Sequence, residues 1–276
     1  MTDFALWGNA AGLDNLCGTL GESVSGMAPL TKPGSNNTKS GWTELNAGVP
    51  RDYCGFYVQF GNNHATQAVT TSLVDIGFGT TVVVPNMLAF GRRTAFMGFG
   101  DIVYFPIPIP AGTQLQARLQ SLNVAGGTPG IRIWGVPNNP LRQPPSYGRV
   151  TNYGANTADS GGVGIDNGTP ANTWVRTQIV ASITNPIKHL IVCIGDQDSA
   201  RATVAKFLFD IEIGAGNQVI ASNLSMRTSS QQNTLRPQYW QFPVNIPAGT
   251  SISINSRCTS NNTLARVYDV VLLGID

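Results

Sequence analysis

The chain has 276 residues with 17 Lys and Arg against 15 Asp and Glu, and its 12% charged content is about half of the usual ~25%. Four Lys and three Glu leave too few favoured helix formers for a coiled coil or helical bundle, and 42% hydrophobic residues exclude an acidic disordered tail. With 31 Gly and 17 Pro, the composition predicts a β-rich protein with many turns.

Residues 1–40 come first and read as an irregular N-terminal arm. Met1-Thr2-Asp3-Phe4 opens without a basic segment or a long apolar run, so no secretory signal is expected. No apolar run in the chain approaches the ~18 residues of a membrane helix. Synthesis in a cytoplasm, without membrane contact, is the expectation. Phe4, Leu6, Trp7, Leu13, Leu16 and Leu20 are set among Gly, Asn and Ser with neither strand nor helix period. These apolar anchors need a surface to bury against, on this chain or on a neighbouring subunit. They are the candidate partner-binding residues. Gly21-Glu22-Ser23-Val24-Ser25-Gly26 has the outline of a nucleophile elbow but no strand before it.

Residues 41–137 form a first unit with a period of two. Phe56, Val58 and Phe60 alternate with Tyr57 and Gln59, and Leu115, Ala117 and Leu119 alternate with Gln116 and Arg118. Such segments predict half-buried antiparallel strands. Val82-Val83-Val84 is a continuous apolar run and predicts a strand covered on both sides. Pro110-Ala111-Gly112-Thr113 predicts a tight turn, with Pro at its first central position and Gly supplying positive φ. Residues 138–172 are rich in Pro, Gly and Asn with little periodicity, and read as a linker.

Residues 173–276 repeat the first unit. Phe105–Thr113 recurs as Phe242–Thr250, with seven of nine residues identical at an offset of 137. Leu73-Val74-Asp75-Ile76 matches Leu208-Phe209-Asp210-Ile211, Trp42 finds Trp174, and Ile133-Trp134-Gly135-Val136 corresponds to Leu272-Leu273-Gly274-Ile275. These anchors keep their order, so the chain is a tandem duplication. Val270-Val271-Leu272-Leu273 again predicts a strand covered on both faces. The expected architecture is all-β: two tandem antiparallel β-sandwiches, jelly-roll or immunoglobulin-like, preceded by the arm.

Chemistry-bearing patterns are sparse. His64 and His189 stand alone, and neither has a counterpart in the other repeat. Asp75 and Asp210 are repeat-equivalent, which suits acceptance of backbone N–H bonds in each domain better than catalysis. Asp196 and Asp198 alternate like the start of a calcium loop but lack the closing Glu. Asp159 and Asp166 read as turn formers. Cys17, Cys54, Cys193 and Cys258 show no CxxC spacing, which leaves four small buried thiols. Arg92-Arg93 is the one basic pair, too little for direct contact with nucleic acid. Four N-x-[ST] sequons, at Asn36, Asn167, Asn223 and Asn261 with their followers, are accidental without a secretory route. Neither a cofactor, a metal nor an enzymatic activity is expected. Tyr147, Tyr153, Tyr239 and Trp240 are the aromatic side chains that could stack on sugars.

Gly41-Trp42-Thr43-Glu44-Leu45, Leu73–Gly77, Val83–Leu88 and Tyr104–Thr113, followed by a closing apolar strand, resemble a family of tailed-bacteriophage virion proteins with tandem β-sandwich domains. The second copy departs at Val219–Leu224, which lacks the Pro of Val83–Leu88. The resemblance implies a structural component of the virion, foremost a capsid decoration or cement protein. Its partners would be the major capsid protein or other virion proteins, and copies of itself in a homo-oligomer. The alternative is a tail-fibre or receptor-binding protein that recognises a host surface glycan.

Overall fold

The computed structural model describes residues 12–17, 27–63, 71–90, 98–124, 128–138, 147–195, 205–227, 238–263 and 265–276. Among them there are strands and no helix. The first half contributes β1 (Asp14–Cys17), β2 (Ala28–Pro29), β3 (Thr43–Asn46), β4 (Tyr53–Asn63), β5 (Ser72–Phe78), β6 (Thr81–Phe90), β7 (Gly98–Phe105), β8 (Leu115–Ser121) and β9 (Thr128–Pro137). The second contributes β10 (Val150–Tyr153), β11 (Val163–Asp166), β12 (Val175–Val180), β13 (Ile187–Gly195), β14 (Lys206–Ile213), β15 (Gln218–Arg227), β16 (Gln238–Ile246), β17 (Ile252–Cys258) and β18 (Val267–Ile275).

Each half is a two-sheet sandwich. In the first, β1-β9-β4-β7, with β2 also on β9, lies over β3-β8-β5-β6. In the second, β10-β18-β13-β16, with β11 also on β18, lies over β12-β17-β14-β15. Taking β1 with β2, and β10 with β11, as one interrupted edge strand gives the same eight-stranded jelly-roll order twice. That order sets the immunoglobulin-like option aside. The repeated turns match as well: Gly112 and Gly249 both take positive φ, and Thr113 and Thr250 donate their N–H to Pro110 and Pro247.

The topology also extends the duplication beyond the two units read from sequence. Residues 1–40 read as an irregular arm, and 138–172 as a linker. Yet Asp14 opposes Gly135 as Thr151 opposes Gly274, and Ala28 opposes Ile131 as Val163 opposes Val270. Both segments lay two short strands along the last strand of their own jelly roll. Strands of two to four residues are too short to display a period of two. Leu16, Met27 and Leu30 of the arm are accordingly buried against the first jelly roll.

Packing shows why the strands hold this register. Gly135 leaves room for the Tyr53 ring, and a Cβ there would stand 2.4 Å from it. Gly274 does the same for Ile187 and Tyr153. Val270 to Leu273 are all buried, as a strand covered on both faces requires. Val82 differs from the sequence expectation and is 37% exposed. It lies at the turn end of β6, an edge strand of its sheet.

Candidate functional site

The two jelly rolls share apolar packing. Alternate residues of β13 and β18 belong to different cores. Leu190, Val192, Ile194, Val270 and Leu272 face the inside of the second sandwich. Ile191, Cys193, Val271, Leu273 and Ile275 join the core of the first. Their main opposite number is β6, whose Met87, Leu88 and Ala89 are fully buried. A Cβ on Gly195 would stand 2.7 Å from Leu88 Cδ2, so the glycine admits the leucine against the sheet. Burying the five sheet residues contributes on the order of 10 kcal/mol before ordering costs.

Polar contacts fix the orientation of that seam. Asn152 donates to Pro85 O at 3.0 Å and Asn86 O at 2.9 Å. Tyr239 donates to Leu88 O at 2.8 Å. Gln241 accepts from Tyr104 N–H at 2.9 Å and donates to Tyr104 O at 3.2 Å. Thr71 donates to Asp159 O, Gln120 to Thr157 O, and Ser160 to Asn37 Oδ1. His189 stands on the seam face of β13 by strand alternation. Its ring is half-buried, and burial holds its pKa below the usual 6.5 against an opposing contact with Gln241.

The duplication gives the first jelly roll an equivalent of the docked sheet face. Gly55, Tyr57 and Gln59 of β4, Ile102 and Tyr104 of β7, and Arg132, Trp134 and Val136 of β9 occupy the corresponding outward positions. Apart from Gly55, these side chains are half-buried. Tyr57 and Tyr104 pack ring to ring at 4.9 Å, and the Arg132 guanidinium lies 5.5 Å from the Trp134 ring centroid. Burial raises the Tyr57 and Tyr104 hydroxyl pKa values. The counterpart of the β6 edge is β15, where Ser222, Asn223 and Ser225 are exposed. A surface of Tyr, Trp and Arg with few acids has the composition of an interface centre.

The residues singled out from sequence fall as follows. Phe4, Leu6, Trp7 and Leu20 lie outside the described residues, as do His64, Arg92-Arg93, Gly21–Gly26, Asp196 and Asp198. Leu13 is half-buried and Leu16 buried, both on their own jelly roll. Tyr147 and Tyr239 pack against the first core, Tyr153 is buried in the second, and Trp240 meets Phe209 edge-on at 5.1 Å. Tyr153 is buried, whereas Tyr147, Tyr239 and Trp240 are half-buried. The four cysteines are buried, and no disulfide joins any of them.

Asp75 and Asp210 do accept backbone N–H bonds. Asp75 takes that of Asn86 at 2.7 Å and Asp210 that of Asn223 at 2.6 Å, and both asparagines have positive φ. Asp75 additionally binds Lys39 Nζ at 2.8 Å and Arg118 Nε at 2.7 Å, with its side chain 3% exposed. No group of three His, Cys, Asp or Glu that could hold a metal occurs among the described residues. No helix is long and apolar enough to cross a membrane among the described residues.

No protein-family model matches the sequence, and no curated protein matches it. Among solved structures, the chain is similar to PNGF-II at 10% identity, covering 95% of this chain and 64% of that one, with a TM-score of 0.34. It is similar to the major capsid protein P2 from bacteriophage PM2 at 8% identity, covering 91% and 97%, with a TM-score of 0.36. It is also similar to the tandem CBM22-1–CBM22-2 domain from Paenibacillus barcinonensis Xyn10C at 11% identity, covering 90% and 97%, with a TM-score of 0.24.

Proposed function

We propose that this chain is a structural, non-catalytic subunit of a virion, a decoration or cement protein that binds the outer face of a capsid lattice. One observation carries the reading. The chain docks a sheet face of one jelly roll onto an edge of the other, and the duplication presents the same kind of face and edge once more, at β4-β9-β7 and at β15. A molecule of this form is suited to repeated association, with copies of itself and with the major capsid protein or other virion proteins. Jelly rolls build viral capsids and lectins alike, and the fold permits the role. Many modest contacts in high copy number would bind tightly through avidity.

The test is binding of the purified chain to empty capsids. The expected result is a fixed ratio set by the lattice, lost at least tenfold on Trp134→Glu, with the protein over the whole head in image reconstructions. Label confined to the tail end would replace this reading with receptor binding. No association with the particle would reject both.

A further inference from the structure

A cleft of about 560 Å³ lies at one end of the second jelly roll, where the start of β14 and the end of β15 reach Gln238 of β16 in the facing sheet. It is lined by Asn172, Lys206, Leu208, Ser225, Gln238, Arg257 and Thr259 among others, and its size is in the ~300–1,000 Å³ range of small-molecule sites. Two cations stand in it. The Arg257 guanidinium lies 4.8 Å from the ring centroid of Trp174, which is 37% exposed. Lys206 lies two residues along β14 from Leu208, which opposes Arg257. Among the described residues, no carboxylate stands within the 4.0 Å ion-pair distance of either cation. Asp210 is on the same strand and accepts from Asn223 N–H.

The first jelly roll shows what this arrangement replaced. There Arg118 stacks on Trp42 at 4.6 Å, but Arg118 opposes Asp75 in the ladder and is neutralised by it. In the second copy Asn255 opposes Asp210, and the arginine stands two residues further on. The tryptophan has moved with it: Thr43 opposes Ala117, while Val175 opposes Ser256. The stacked pair has therefore slid one pleat along the sheet, away from Asp210, which brings Arg257 to the cleft.

We propose that this cleft binds a carboxylate-bearing saccharide, of the uronic or sialic acid type. Arg257 and Lys206 receive the carboxylate, with the planar fork of Arg257 held ready by its stack on Trp174. Trp174 stands beside the cleft, behind Arg257, and its exposed edge offers an apolar surface to a sugar unit that extends past the arginine. Asn172, Gln238, Ser225 and Thr259 supply donors and acceptors for hydroxyls. Two cations do not make the stripe that a polynucleotide requires. The proposal does not depend on the coat role, and failure of capsid binding would leave it standing.

The experiment is calorimetric titration of the full chain with trigalacturonate, sialyllactose, the methyl ester of trigalacturonate, and a thymidine oligonucleotide at one salt concentration. At least one acidic saccharide is expected to bind, with the ester at least tenfold weaker where trigalacturonate is the ligand. Arg257→Gln and Lys206→Gln should each lose at least tenfold, and Arg257→Lys, which keeps the charge but loses the fork, should lose less. Lys206 is exposed, so its variant tests the site even if Arg257→Gln fails to fold. Failure of both acidic saccharides, equal binding of the ester, unchanged binding by Lys206→Gln, or tighter binding of the oligonucleotide would overturn the assignment.

Discussion

Asp75 and Asp210 hold the same place in two jelly rolls but carry different amounts of structure. Each anchors the backbone of a left-handed asparagine, and Asp75 also neutralises two cations. Burial depresses the Lys39 amine pKa, and its contact with Asp75 opposes that shift. Asp75→Ala leaves Lys39 and Arg118 without their carboxylate and is expected to cost about 3–5 kcal/mol. Asp210→Ala removes one backbone bond at a half-exposed site and is expected to cost about 1 kcal/mol. Urea denaturation of the two variants would show this inequality; equal losses would contradict it. His189 gives a second test at this scale. Its folded pKa is below 6.5, so the unfolded chain takes up the proton first as pH falls. Stability contributed by neutral His189 should be complete above pH 6.5 and decline as pH falls from there towards the folded pKa. Unfolding midpoints from pH 8 to 5 should fall less steeply in His189→Gln than in the parent chain.

At the scale of strands and turns, the alternation Phe56-Val58-Phe60 was readable because a strand with one wet face writes its geometry into every second residue. The edge strands β1, β2, β10 and β11 were not, because two to four residues do not sample that period. Their placement depends instead on the glycines they oppose or adjoin. Gly135→Ala should force the buried Tyr53 ring to shift and cost about 1–3 kcal/mol. Thermal denaturation would measure the loss. The left-handed bends in β6 and β15 offer the converse case. Asn223→Ala should lose about 1–2 kcal/mol, because Ala is disfavoured at a φ of 53°. Asn223→Gly should lose less, since Gly accepts that φ freely.

Across the whole molecule, the seam makes the two jelly rolls one packing unit. Residues 147–276 expressed alone would expose Ile191, Cys193, Val271, Leu273 and Ile275, which the first jelly roll covers. The full chain is therefore expected to unfold in one calorimetric transition, and this half alone to aggregate. Leu88→Asp should split the single transition into two by placing a charge against the sheet face. A single transition retained in that variant would argue that the seam does not couple the domains.

What the sequence determined by itself was local and periodic: a β composition, strands of period two, the turn at Pro-Ala-Gly-Thr, and the duplication shown by matching anchors. The buried run Val270–Leu273 even announced a strand covered on both faces. The cover itself was not readable, because the residues of β6 that provide it are more than a hundred positions away. The surroundings of the sugar-stacking candidates were not readable for the same reason: what packs against Tyr239 or Trp240 is set by other segments of the chain. The sequence paired Trp42 with Trp174, and the ladders showed that pair to be two residues out of register. Tertiary structure alone decided the jelly-roll order, the seam and the displaced Arg257, since each is set by contacts between segments far apart in the chain.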